Sequence, residues 1–178
     1  MSKETLYFDA KHAIQVQAWI IENSGGMSGL NNLGQLDSCL THIQNDLYYP
    51  DFIDKLTHLV FSIVKFHVFC DGNKRSSIAL GAYFLELNGY EIARKFVREM
   101  ENIVVWIAEN KFDKDLLREL IESLIYESDY SESLKLKLLL AIESIWDILW
   151  QEQVYLMSNS KINIGSTVLH HQKFLDNL

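Results

Sequence analysis

This sequence predicts an all-α fold, and three observations carry that prediction. The 178-residue chain contains a single proline, Pro50, and a chain so poor in helix breakers is most easily helical. Between residues 51 and 66, Phe52, Leu56, Leu59, Val60, Ile63 and Val64 recur at intervals of three and four, which is the spacing of one helical face. Residues 73–88 repeat the pattern, with Ile78, Ala82 and Leu85 on one face and Phe84 alongside. Gly89 follows Asn88 as the expected C-terminal cap.

The bulk properties fit one domain with an appendage. Hydrophobic residues make up 48% of the chain and charged residues 22%, a globular balance with enough apolar side chain to bury a core. A net charge of −8 argues against a general nucleic-acid binder, which needs clustered Lys and Arg to neutralise phosphates. Cys39 and Cys70 have no metal-ligand or disulfide-framework spacing, so a reducing, cytoplasmic setting is expected. The first residues lack a signal-peptide apolar run, and no eighteen-residue window is free of charge, so no membrane span is expected.

Taken in order, the elements are these. Residues 9–23 predict a helix with Asp9 as its N-cap. The run "SGGMSGLNNLGQ" (24–35) is a long loop by its Gly, Ser and Asn content, and long ordered loops are either connectors or functional. Residues 36–45 predict a short helix, and 46–51 a turn around Pro50. The helices over 51–66 and 73–88 follow. "GYEIARKF" (89–96) is expected to open with a short extended piece. Helices are then expected over 97–109 and 113–127, the second capped by Asp113. The longest helix is expected over 131–157, capped by Ser131 and amphipathic through Lys135, Lys137, Glu143 and Asp147. Its apolar face carries Leu134, Leu138, Ile142, Ile145 and Leu149, with Trp146 and Trp150 beyond the core. A tail follows from Ser158.

Between the two strongest helices lies "HVFCDGNKR", His67–Arg75. A tight turn here feeds a helix N-terminus, where the first N–H groups lack internal partners and the dipole is positive. That is an anion site before any side chain is considered. Gly72 lets the backbone approach a ligand closely, and Lys74 and Arg75 add charge where a polyphosphate would lie. Asp71 suits a magnesium ion held by one carboxylate and phosphate oxygens. Histidine is the one side chain in the cluster whose ordinary pKa lies near cellular pH, so His67 suits a general base. Each residue alone has a structural explanation. A histidine after an apolar helix is usually a satisfied core residue, and Asp-Gly-Asn is a common turn. Two cations at a helix N-terminus, however, are locally unfavourable unless an anion joins them.

The stretch resembles the core motif of the Fic/Doc family, His-x-Phe-x-Asp/Asn-Gly/Ala-Asn-Lys/Gly-Arg. The flanks are similar too: "GGMSGLNNLGQLDSCL" before the motif helix and "SSIALGAYFLELNGYEI" after it, so that the resemblance spans roughly residues 5 to 125. It implies a Fido helical domain, placed over 1–127, and leaves 128–178 outside it as a C-terminal helical extension with tail. It implies transfer of a phosphate-containing group from ATP, with Mg²⁺, to a hydroxyl of a protein substrate. Carried over, His67 is the base, Phe69 packs the loop and Asp71 binds Mg²⁺. Gly72 and Asn73 hold phosphate, while Lys74 and Arg75 bind nucleotide and stabilise developing charge. Ser28–Gln35 corresponds to the flap that docks the target chain by backbone pairing.

Where the adenylylating Fic branch has a proline, a second glycine and a further arginine, this chain has Val68, Lys74 and Ile78. Those positions resemble the Doc branch. Doc-type members are toxins that phosphorylate a translation elongation factor and are held in check by a small antitoxin. The expected activity is therefore a Doc-type kinase reaction moving the γ-phosphate of ATP. Adenylylation (AMPylation) is the alternative, and a non-catalytic helical binding module is a third. "SLIYES" (123–128) is a poor match to the family's inhibitory element, so control by a separate antitoxin partner is expected. A homodimer through the C-terminal helix is also compatible with the sequence.

Overall fold

The structure, a computed structural model, describes residues 4–142. Its helices are α1 (Ala10–Ser24), α2 (Leu33–His42), α3 (Phe52–Phe66), α4 (Asn73–Leu87), α5 (Ala93–Ala108) and α6 (Lys114–Tyr126). A seventh, α7, begins at 132 and is described to 142. Among the described residues there is no strand, and the one isolated β-bridge joins Leu30 to Phe69 in antiparallel fashion. The all-α expectation holds. The chain divides into two compact units, Met1–Lys137 and Leu138–Leu178. Ile145, Trp146, Leu149, Trp150, the rest of the helix expected to 157, and the tail lie outside the described residues.

Helix α3 is the axis of the first unit. It packs against α2, α4, α5 and α6. Burial extends around it, from Ile53, Leu56 and Leu59 to Val60, Ile63 and Val64, as expected of a helix with neighbours on most sides. Lys55 is buried with them and stays charged because its Nζ donates to the Ile43 carbonyl at 2.9 Å and to Asp46 at 2.6 Å.

Side-chain caps fix four helix starts. Asp9, Asn32, Asp51 and Asp113 each accept a hydrogen bond from a backbone N–H in the first turn of α1, α2, α3 and α6 respectively. Asn32 starts α2 three residues earlier than expected, because an asparagine read as loop is in fact the cap. Ser131 Oγ likewise accepts from Leu134 N at the start of α7. Leu134 is buried, and Lys137 pairs with Glu119 of α6 at 2.6 Å, so the start of α7 belongs to the first unit.

Two expectations are corrected. The extended piece after Gly89 is absent: residues 91–92 form a turn and α5 starts at Ala93. Gly89 N donates to Glu86 O at 3.0 Å and Tyr90 N to Leu85 O at 3.0 Å, so the two carbonyls at the end of α4 turn the chain straight into α5. On α4 the buried residues are Ser76, Ser77, Leu80, Gly81, Phe84 and Leu85, while Ile78 and Ala82 are half-buried. Small residues are among them, so the apolar spacing pointed one position off.

Candidate active site

Helix α3 ends at Phe66, and the next residue turns the chain out of the helix. His67 takes a left-handed conformation, φ 47° and ψ 50°, which is uncommon for a residue with a β-carbon. Its carbonyl is held there by Asn31 Nδ2 at 2.9 Å. Val68 and Phe69 follow and are buried, anchoring the turn in the core. Asn73 then clamps the loop from the far side. Its Oδ1 accepts from Phe69 N at 2.9 Å and its Nδ2 donates to Phe69 O at 2.8 Å. The Asn73 side chain thus shapes the loop, and its backbone N–H stands in the first turn of α4.

The loop is also paired from outside. Asn31 N donates to Val68 O at 2.9 Å and Cys70 N to Gly29 O at 3.0 Å, flanking the Leu30–Phe69 bridge. The segment read as a docking flap therefore lies along the motif loop.

Gly72, at φ 74°, is the residue before α4, and no side chain caps that helix. The result is a cavity of about 290 Å³ lined by His67, Asp71, Gly72, Asn73, Lys74 and Arg75, with Cys70, Val64 and Ala108 completing the wall. All six residues singled out in the sequence meet there.

The charged groups differ in how they are held. Lys74 is exposed, and its Nζ makes no hydrogen bond or ion pair among the described residues. Asp71 Oδ1 accepts from Gly72 N at 2.6 Å and Oδ2 from Met27 N at 3.2 Å. These N–H bonds, Gly72 first, and then the nearby Arg75 hold its carboxyl below the usual range, so it is an anion at neutral pH. Arg75 Nη2 lies 3.9 Å from Asp71 Oδ1. Its Nη1 donates to Gly25 O at 2.9 Å, to Ser24 O at 3.3 Å and to Ser24 Oγ.

Residues 24–27 were thus missed as part of the site. Gln17, buried in α1, adds a bond from Nε2 to Asp71 O at 3.2 Å. Nothing local in the sequence marks these contacts, because they join positions some fifty residues apart. Glu127 is engaged elsewhere. Ser123 Oγ donates to it at 2.5 Å, and the pair lines a different cavity with Lys95, Glu99 and Tyr130.

A second polar cluster lies between α3 and α6. Tyr49 Oη and Lys114 Nζ approach His58 Nδ1 at 2.9 and 3.1 Å, and Ser62 Oγ contacts the same ring. Burial, then Lys114 and His42, push the His58 pKa down to about 4, so this imidazole is neutral and its lone pair is taken. The cavity beside it, about 180 Å³, is lined by Lys114, Arg118, Asp54 and Asp115.

The Fic/DOC family model matches residues 7–85 of this chain. Toxin Doc of Mycolicibacterium smegmatis (strain ATCC 700084 / mc(2)155) is 32% identical over 96 residues, which cover 51% of this chain and 74% of that protein. The matched family region contains α1 to α3, the whole cavity loop and most of α4.

Proposed function

This chain belongs to the Fic/Doc family, and from that premise we propose that it is a Doc-type toxin that moves the γ-phosphate of ATP to a hydroxyl of a target protein. The observation that carries the reading is the uncapped start of α4, which opens into one cavity with His67, Asp71, Lys74 and Arg75. An uncapped helix N-terminus with two cations in its first turn suits a polyphosphate. Among the described residues no three His, Cys, Asp or Glu side chains gather as a metal cage. Asp71 alone, ionised and at the cavity, suits Mg²⁺, which takes one carboxylate and completes its shell with phosphate and water oxygens. When bound, that ion would neutralise phosphate charge.

The chain's own groups then have separate tasks. The Gly72–Arg75 turn binds the phosphates, and Lys74 and Arg75 offset the charge that grows on the leaving group. His67 Nε2 or Nδ1 takes the proton of the attacking hydroxyl. The hydroxyl oxygen bonds to the γ-phosphorus, the bond from that phosphorus to the bridging oxygen breaks, and ADP leaves. Lys74 and Ile78 favour this orientation over adenylylation. The lysine fills the room a glycine would leave, and the isoleucine offers no cation one turn up the helix.

On this reading the modification is toxic to the cell, as the likeness to a Doc toxin suggests, and a small antitoxin is the regulator. Among the described residues no helix is long and apolar enough to cross a membrane, and a cytoplasmic setting fits the free Cys39 and Cys70. The test is incubation with cell extract and ATP labelled at either the α or the γ position. Label should move to protein from γ-labelled ATP alone, and His67→Ala should abolish it. Transfer of the α label would replace this reading with adenylylation, and transfer of neither would favour a binding module.

A further inference from the structure

The C-terminal end of α1 carries a contact to the site that the motif does not contain. Arg75 reaches across to it, and its Nη1 meets the Gly25 carbonyl at 2.9 Å, the Ser24 carbonyl at 3.3 Å and the Ser24 hydroxyl. Carbonyls at a helix end have no partner within the helix and sit at the negative pole of its dipole, so a guanidinium is well placed there. The Ser24 hydroxyl is itself oriented, because its proton goes to Ile20 O at 2.6 Å. Its lone pairs are left for Arg75.

The consequence lies on the other side of the guanidinium. Nη1 is fully engaged. Nε and Nη2 hydrogen-bond to nothing among the described residues, and Nη2 has only the Asp71 carboxylate at 3.9 Å. Nε and Nη2 form the edge with which an arginine grips two oxygens of one phosphate. A β-carbon on Gly26 would stand 3.2 Å from Nη2, and one on Gly72 would stand 3.7 Å from it. Two glycines at positive φ therefore leave the guanidinium room to lie between them.

We infer that Ser24 is a positioning residue: together with the Gly25 carbonyl it fixes Nη1 of Arg75 and so presents the Nε–Nη2 edge to the nucleotide phosphate. This inference rests on the nucleotide reading given above. It adds a residue outside the motif, on a different helix, to the determinants of phosphate affinity. Without the Ser24 hydroxyl the long side chain keeps its charge and its two carbonyl contacts but is held less firmly. A phosphate must then order it on binding.

The experiment measures MgATP affinity of the full chain by calorimetry for the wild type, Ser24→Ala and Ser24→Thr, each repeated in an Arg75→Ala background. Ser24→Ala should weaken binding by roughly fivefold to tenfold, a modest loss because the contact is partly solvated. Ser24→Thr should restore it. In the Arg75→Ala background Ser24→Ala should change nothing further, a coupling that a general structural role of Ser24 would not produce. Equal affinity of Ser24→Ala and wild type, a loss that persists without Arg75, or tighter binding by Ser24→Ala would each overturn the inference. The last would mean that α1 holds Arg75 away from the ligand. A wild-type chain that binds no nucleotide would overturn the nucleotide reading itself, and the inference with it.

Discussion

Arg118 in α6 and Arg75 in α4 both stand near the start of a helix, and their surroundings are opposite. Arg118 is gripped by Asp54 at 2.7 Å, Glu122 at 2.7 Å and Asp51 at 3.1 Å. These carboxylates, Asp54 first, raise its pKa further. Arg75 has one carboxylate, Asp71, at 3.9 Å, and otherwise carbonyls and a hydroxyl. The helix starts differ in the same sense, since Asp113 caps α6 and nothing caps α4. Cations at a helix start are therefore not enough to mark a site. What matters is whether the chain supplies the counter-anions itself. At α6 it does, and the cluster is structural. At α4 it supplies only Asp71, at 3.9 Å from Arg75, and leaves Lys74 unpaired among the described residues, so positive potential remains for a ligand.

The sharpest break of this contrast is removal of the groups on the open side. His67→Ala and Arg75→Ala should each lower transfer by roughly 10²–10⁴-fold while the chain stays folded, because both side chains are at the cavity rather than in the core. Arg118→Met should leave transfer unchanged. Transfer rates of the three purified variants check this, and a large loss in Arg118→Met would erase the distinction.

A smaller effect is expected at Gly26. Its φ is 118°, and an added β-carbon would lie 2.4 Å from Asp71 Oδ2. Gly26→Ala should displace the 24–27 segment and cost about tenfold in transfer, with little change in denaturant midpoint because the segment is exposed. Equal activity would show that this segment can shift without disturbing Asp71.

On the closed side the readout is stability. Arg118→Met leaves Asp54 without its partner, and Asp54 is the least exposed of the three carboxylates, at 19%. A loss of about 1–2 kcal/mol in urea unfolding is expected, kept small by solvent around the guanidinium. The same measurement on Arg75→Met should give a smaller change.

The remaining effect concerns His58, whose folded pKa of about 4 lies below its ordinary 6.5. The folded state therefore favours the neutral ring. That stability is complete above pH 6.5 and declines as pH falls toward 4. His58→Gln should flatten this part of the stability–pH curve, and an unchanged slope would assign the decline to other groups.

The sequence was legible where signals are contiguous. Helix α3 shows its period because its buried positions are large and apolar, and the site loop occupies nine consecutive residues. Helix α4 was placed correctly but its face was not, because Ser76, Ser77 and Gly81 are buried there and carry no apolar signal. The start of α5 was obscured by a turn that reads like the beginning of a strand. Gly25–Met27 were read as loop, correctly, and Ser24, read with them, closes α1 instead; a Gly- and Ser-rich stretch does not disclose that its carbonyls meet an arginine fifty-one residues later. Local chemistry was visible in the sequence. The second wall of the site, built by tertiary contact, was not.

On this contrast, phosphates bind at the open start of α4 and not at the capped start of α6. Amide ¹⁵N–¹H NMR of the full chain, titrated with MgATP, tests it directly. The backbone signals of Gly72, Asn73, Lys74 and Arg75 should shift together and saturate with one dissociation constant, while those of Lys114, Asp115 and Leu116 stay in place. Saturable shifts at Lys114–Leu116, with Gly72–Arg75 unmoved, would move the phosphate site to α6.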